Sequence, residues 1–323
     1  MTGKSPTQAM TRAIERARAS LFPVRLEKWL ALGFIAFLAG LGEGGGSYGA
    51  RWPFGGKSGG PFGSSGGGKS ATPEPEFAET WREIMAWIQD HVALVIALGG
   101  AALIFGFGLG LLLTWLSSRG KLMFVESVIH DRYQVKEPWA RLRAPAWDIF
   151  KFRVLLALSS LVVLFAALGV GFWMAFEELR TGNFGGKSVG AALVCAGIAL
   201  VTLAPLAVIS MLLDDFVIPV FYLRGGKLAE AWASVRREVL ADNLGPLLLF
   251  YLLKVVLGVG FLILGMLTAC LTCCLAALPY LSSVALLPAH VFFRSYSLYF
   301  LEELGVRVFP APPPPFEAFS YPR

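Results

Sequence analysis

The 323-residue chain is 56% hydrophobic and only 15% charged, with a mean hydropathy of +0.64. That balance excludes an ordinary soluble domain, which has too little polar surface to cover so apolar a core. The net charge of +6 and pI near 9.2 do not indicate nucleic acid, because the basic residues flank long apolar runs and so read as membrane orientation.

In chain order, residues 1–28 form a basic N-terminal segment with a weak apolar stripe at Met10, Ala13, Ile14, Ala17 and Leu21. The first apolar run, 29–41, is short for a span, since a helix needs about 20 apolar residues to cross a bilayer. A cleaved signal peptide is the rival reading. The long preceding segment and the lack of a clean small-residue cleavage site favour a retained helix.

Glycine, serine and proline dominate 42–73, which reads as a flexible loop. Thr80 and Glu83 have capping-box spacing, and Trp81, Ile84, Met85 and Ile88 share a helical face, as in an interfacial helix. A second span is expected at 92–116, where Gly99, Gly100, Gly106, Gly108 and Gly110 would permit close helix approach. A third falls at 154–176 and a fourth at 189–213, kinked at Pro205. The stretch from 245 to 301 is long enough to cross twice, at 246–270 and 279–301, with a turn near Cys273 to Pro279. The expected fold is therefore an all-α polytopic bundle with a six-span membrane domain over 29–308. A proline-rich tail follows at 309–323.

Of the 28 Lys and Arg, 21 fall on one side of these spans and six on the other, with Lys254 inside a span. The positive-inside rule then places both termini in the cytoplasm of a cell (inner) membrane protein and requires an even number of crossings. Two inner links carry amphipathic stripes: Leu122, Val125, Val128 and Ile129, and Leu228, Ala231, Trp232, Val235 and Val239. Both read as surface helices meeting anionic lipid headgroups, with residues 10–21 a weaker third case. A faint repeat accompanies them. Pro138-Trp139 and Ala231-Trp232 each precede a span with an early cation, Arg153 or Lys254.

Gly63 to Ser70 reads GSSGGGKS and satisfies a phosphate-loop pattern. That motif needs a strand before it and a helix after it, so in a glycine–serine loop it is a decoy. Cys270, Cys273 and Cys274, with Cys195, offer a disulfide or redox pair, but packing thiols are the plainer reading. They lack the further ligands a metal would need.

The better site candidate is a set of charges within or at the edge of spans: Asp214, Asp215, Lys254, His290 and Arg294. Following the chain, all five fall at similar depth, where acids and bases should pair across helices. Such a cluster serves either a proton or substrate site or a structural ion pair, and its interfacial depth favours the second. Pro312 to Pro315 would form a short polyproline II stretch, able to dock a partner groove or to remain a disordered tail. No catalytic arrangement and no cofactor or metal site stands out. The expected role is non-enzymatic, a scaffold or partner subunit with a contact region on the cytoplasmic face. A small transporter and a thiol-redox enzyme are the alternatives, and the oligomeric state stays open.

The chain resembles a family of uncharacterised six-helix bacterial membrane proteins, a domain of unknown function. The resemblance rests on LFPVRLEKWLALGFIAFLAG (21–40), WLSSRGKLMFVESV (115–128), VKEPW (135–139), DDFVIPVFYLRG (214–225) and LTCCLAALPYLSSVALLPAHVFFRSYSLYFL (271–301). It implies fold, topology and membrane location, and no activity or ligand. The proline-rich tail departs from the family pattern. A looser likeness is to the membrane domain of some glycerophosphodiester phosphodiesterases, whose catalytic part has no counterpart here.

Overall fold

Apolar runs in a bilayer must satisfy their own backbone hydrogen bonds, and helices are the local solution. The computed structural model describes residues 6–23, 25–41, 87, 90–181, 186–241, 243–271 and 279–309. Among them the elements are α1 (Pro6–Leu21), α2 (Leu26–Gly40), α3 (Val92–His130), α4 (Lys136–Arg141), α5 (Arg143–Thr181) and α6 (Gly186–Leu212). A π-helical turn (Leu213–Val217) leads into α7 (Ile218–Arg224). Then come α8 (Leu228–Val235), a second π-helical turn (Arg236–Leu240), α9 (Leu244–Leu271), α10 (Pro279–Ala285) and α11 (Leu287–Glu303). The fold is all-helical.

Among the described residues, four stretches are long and apolar enough to cross a membrane: Val92–His130, Arg143–Phe176, Ser188–Arg224 and Leu244–Gly265. They overlap the second to fifth expected spans, the first and third running on past 116 and 213 to His130 and Arg224. The 15 residues of α2 make a shorter helix. The last expected span is divided between α10 and α11, with Leu286 at the break. Pro288 explains the division, because its ring clashes with the carbonyl four residues back, that of Val284.

The chain divides into two compact units, Trp52–Leu113 and the remainder. In the first, a Cβ added at Gly99, Gly100, Gly106, Gly108 or Gly110 would meet open space. The close approach expected at those glycines is not made by the described residues. The loop at 42–73, the phosphate-loop lookalike Gly63 to Ser70, the Thr80–Glu83 box, the turn at 272–278 and the tail beyond 309 lie outside the described residues.

In the larger unit, large side chains of α5, α6 and α9 such as Val162, Phe165, Trp173, Val201 and Leu248 are exposed, the pattern of lipid-facing helices. The buried residues gather elsewhere: along α1, from Ser117 to Ile129 of α3, at Ala146 and Ile149 of α5, from Leu212 to Phe221, and along α11. The stripe at 122–129 is thus no separate surface helix. It is the end of α3, buried on every face because neighbouring helices surround it. Helix α8 and its π turn are amphipathic as expected, with Lys227, Arg236 and Arg237 exposed, but the apolar stripe at Ala231, Val235 and Val239 is buried in the protein core and not left to face the leaflet.

The N-terminal stripe also packs on protein. Ala9, Ala13, Ala17 and Leu21 recur every fourth residue, form one helical face and are buried, and α1 packs against α11. Arg12 reaches Glu303 at 3.3 Å, and Arg16 donates to the last carbonyls of α3, Val128 O and Ile129 O, at 3.1 Å each. Helix α3 ends where Asp131 takes a left-handed conformation (φ 53), its carboxylate accepting from Ser20 and Lys28. Asp tolerates that conformation better than most residues.

Candidate functional site

The site begins with a backbone irregularity. In the π turn the N–H of Ile218 is donated to Leu213 O, five residues back. The Asp214 carbonyl therefore loses its α-helical donor, and the next one along is Pro219, which has no N–H. A buried carbonyl needs a partner. Arg294 of α11, itself 1% exposed, supplies one through Nη1 at 2.6 Å.

The π turn also aims two adjacent carboxylates at different helices. Asp214 Oδ2 accepts from Lys121 Nζ of α3 at 2.6 Å, and its Oδ1 accepts from Arg153 of α5. Arg153 also donates to Ser117 Oγ at 3.2 Å. Asp215 Oδ1 accepts from Lys254 Nζ of α9 at 2.5 Å and from Ser297 Oγ of α11 at 3.3 Å. Lys121 is fully buried and Asp215 nearly so. Charges this deep are tolerated only with well-placed counterions, since each unpaired ion would cost several kcal/mol. Four cations surround two carboxylates, so electrostatics here also rely on hydrogen bonds such as that to the Asp214 carbonyl.

Beside the ions lies an aromatic group. Phe250 stacks on Tyr296 and Phe300 at centroid distances of 4.6 Å each, and Phe216 of the π turn packs against Phe250 at 5.4 Å. A second cationic junction lies at Arg119, whose guanidinium sits 4.5 Å from the Trp115 ring and 4.7 Å from that of Trp139. Desolvated cation–π pairs of this type contribute on the order of 1–2 kcal/mol.

Of the five charges singled out in the sequence, the structure joins four: Asp214, Asp215, Lys254 and Arg294. His290 is buried one turn before Arg294 on α11. Lys121 and Arg153, read from the sequence as topology residues, are in fact partners of Asp214. The repeat held the signal for one of them. Its two equivalent cations, Arg153 and Lys254, end on adjacent aspartates, and Trp232 of the second copy lies 5.7 Å from Phe152.

Cys195 donates to Ala167 O at 3.0 Å, and its Sγ fills the space where Gly171 has no Cβ. It is a packing thiol between α5 and α6. The side chain of Cys270, and Cys273 and Cys274 entirely, lie outside the described residues.

Compared with known proteins, residues 5–287 match the family described as "Family of unknown function (DUF7544)". No curated protein and no solved structure matches the chain.

Proposed function

The chain belongs to DUF7544, a family of unknown function, and from that premise we propose that it is a non-enzymatic, multi-pass scaffold or partner subunit of a cell (inner) membrane. In this reading the chain crosses six times, with α2 and the α10–α11 pair completing the four long spans. Both termini are cytoplasmic, and the basic inner face meets anionic lipid headgroups and a protein partner. The 21-to-six division of Lys and Arg supports that topology, as does the packing of α1 along α11.

The observation that carries the scaffold reading is the saturation of Asp214 and Asp215. Each carboxylate is occupied by cations from other helices, as a structural lock requires and a vacant proton or substrate site does not. The test is purification in a mild detergent after Asp214→Asn and Asp215→Asn. Loss of folded protein in both supports the lock. Full yield and unchanged melting reject it.

One observation favours the transporter alternative: the two acids occupy a π-helical turn inside a 37-residue apolar stretch, and π-bulges recur at functional sites. A well-folded Asp215→Asn protein that loses solute or proton flux in proteoliposomes would establish transport and overturn the scaffold reading.

A further inference from the structure

The cationic junction at Arg119 differs from the Asp214 cluster in one respect: among the described residues no acidic side chain answers its charge. Arg119 is 6% exposed, and its guanidinium lies in the corner of two indole rings, Trp115 and Trp139, set at 89° to one another. Helical geometry puts it there. Ser117 and Lys121 bond Arg153 and Asp214, and at about 100° per residue a side chain two positions from each stands on the opposite face of α3. Glu126, the acid of α3, is taken by Arg141. The Arg119 Nε is buried without an acceptor. The charge beside it is that of Arg143, the first residue of α5, which repels it.

Ring contacts stabilise the guanidinium charge but accept none of the hydrogen bonds its N–H edge can donate. An arginine stacked on aromatic rings therefore keeps its planar fork for a carboxylate or a phosphate. Neither Arg119 nor Arg143 has a carboxylate partner among the described residues, so the pair is suited to an external anion. Depth selects the kind of anion. Trp115 is the last residue but one of the second expected span (92–116), and Arg119 follows four residues later, about 6 Å along the axis at about 1.5 Å per residue. The headgroup layer is about 5–7 Å thick on each side of the hydrocarbon core, which sets the guanidinium among phosphates. Trp115 and Trp139 occupy the position of an interfacial aromatic belt. Trp147, one turn beyond Arg143 and 47% exposed, continues it.

We propose that Arg119 and Arg143 together hold one phosphate group, supplied by an anionic phospholipid of the inner leaflet or by a soluble phosphate. The two rings fix the plane of Arg119, so its edge donates in a set direction, and the exposed Arg143 closes on the remaining oxygens. The lipid source rests on the membrane reading above and gives its basic face one defined site.

The experiment follows melting of the full chain in detergent as phosphatidylglycerol, phosphatidylcholine or inorganic phosphate is added, the last against sodium chloride at equal ionic strength. Phosphatidylglycerol or inorganic phosphate should raise the melting temperature saturably, and phosphatidylcholine should not. Arg143→Gln is a surface change that should fold normally and raise the half-saturating concentration about tenfold, the effect of losing one charge-assisted hydrogen bond. Arg119→Lys keeps a cation between the rings without the fork and should weaken binding comparably. Arg237→Gln, which removes an exposed cation elsewhere on the basic face, should leave binding unchanged. Saturation by phosphatidylglycerol alone assigns a headgroup, and saturation by inorganic phosphate assigns a soluble ligand. Stabilisation by neither probe, an unchanged response in Arg143→Gln, or equal weakening in Arg237→Gln overturns the proposal. A membrane-integrated chain that neither probe stabilises rejects this inference alone. A chain absent from the membrane fraction rejects the membrane reading, and inorganic phosphate still tests the site.

Discussion

Arg294 of α11 donates a 2.6 Å hydrogen bond to the backbone carbonyl of Asp214. The cause lies five residues along, at Pro219, where the backbone has no proton to give. A side chain on α11 thereby completes the hydrogen bonding of a turn between α6 and α7.

This relationship predicts a coupled pair of substitutions. Arg294→Met should lower stability by about 2–3 kcal/mol, the cost of a buried acceptor left without its donor. Pro219→Ala restores an N–H at the required position, so it should recover part of that loss in the double variant. Thermal melting in detergent gives the coupling, and strictly additive effects would refute the account.

The Asp215–Lys254 pair should behave as a buried ion pair. Asp215→Asn or Lys254→Met alone should destabilise by about 3–5 kcal/mol, because each leaves a charge without its partner. Combining them should give a protein more stable than either single variant. A double variant no better than the worse single one would show that the pair is not the relevant unit.

At Gly120 the backbone of α2 approaches so closely that an added Cβ would stand 2.4 Å from Ala39 N and 2.6 Å from Leu38 C. Gly120→Ala should therefore cost about 3 kcal/mol through overpacking that backbone cannot relieve. Gly106→Ala, where the added carbon meets open space, should change melting by no more than about 1 kcal/mol. The contrast between these two chemically identical changes is the measurement.

The same logic makes Cys195 testable as a packing residue. Gly171→Ala would press a methyl 2.2 Å from its sulfur and should destabilise the α5–α6 contact by about 1–3 kcal/mol. Cys195→Ala should relieve most of that penalty in the double variant. A thiol that reacts readily with a membrane-permeant maleimide in the folded wild type would count against this placement.

How legible all this was in the sequence differs by residue. Helices such as α5 and α9 follow directly from apolar length, and Pro288 marks a break in the last expected span once its clash with Val284 is considered. The Asp214–Asp215 pair stood out because charge inside an apolar stretch is expensive. Lys121 did not. It lies in SSRGK, a sequence that looks like a solvated helix end, and only the arrangement of neighbouring helices reveals that this end is buried. Likewise, Leu122, Val125, Val128 and Ile129 do form a stripe, but residues between them are buried too. Periodicity reports the face that must be covered and is silent about whether the opposite face is covered as well. The π turn had a partial signature in Pro219, whose missing proton is local, while its answer, Arg294, is 80 residues away.

Helix α5 has 39 residues, close to 58 Å at about 1.5 Å per residue, whereas a hydrocarbon core is about 30 Å thick. It therefore acts as one stiff rod standing partly outside the oil, with Arg153 on the segment nearest its start. A thicker or thinner bilayer changes the angle at which such a rod stands. Arg153 is fastened to Asp214, so the rod and the π turn are tied together at the charged junction.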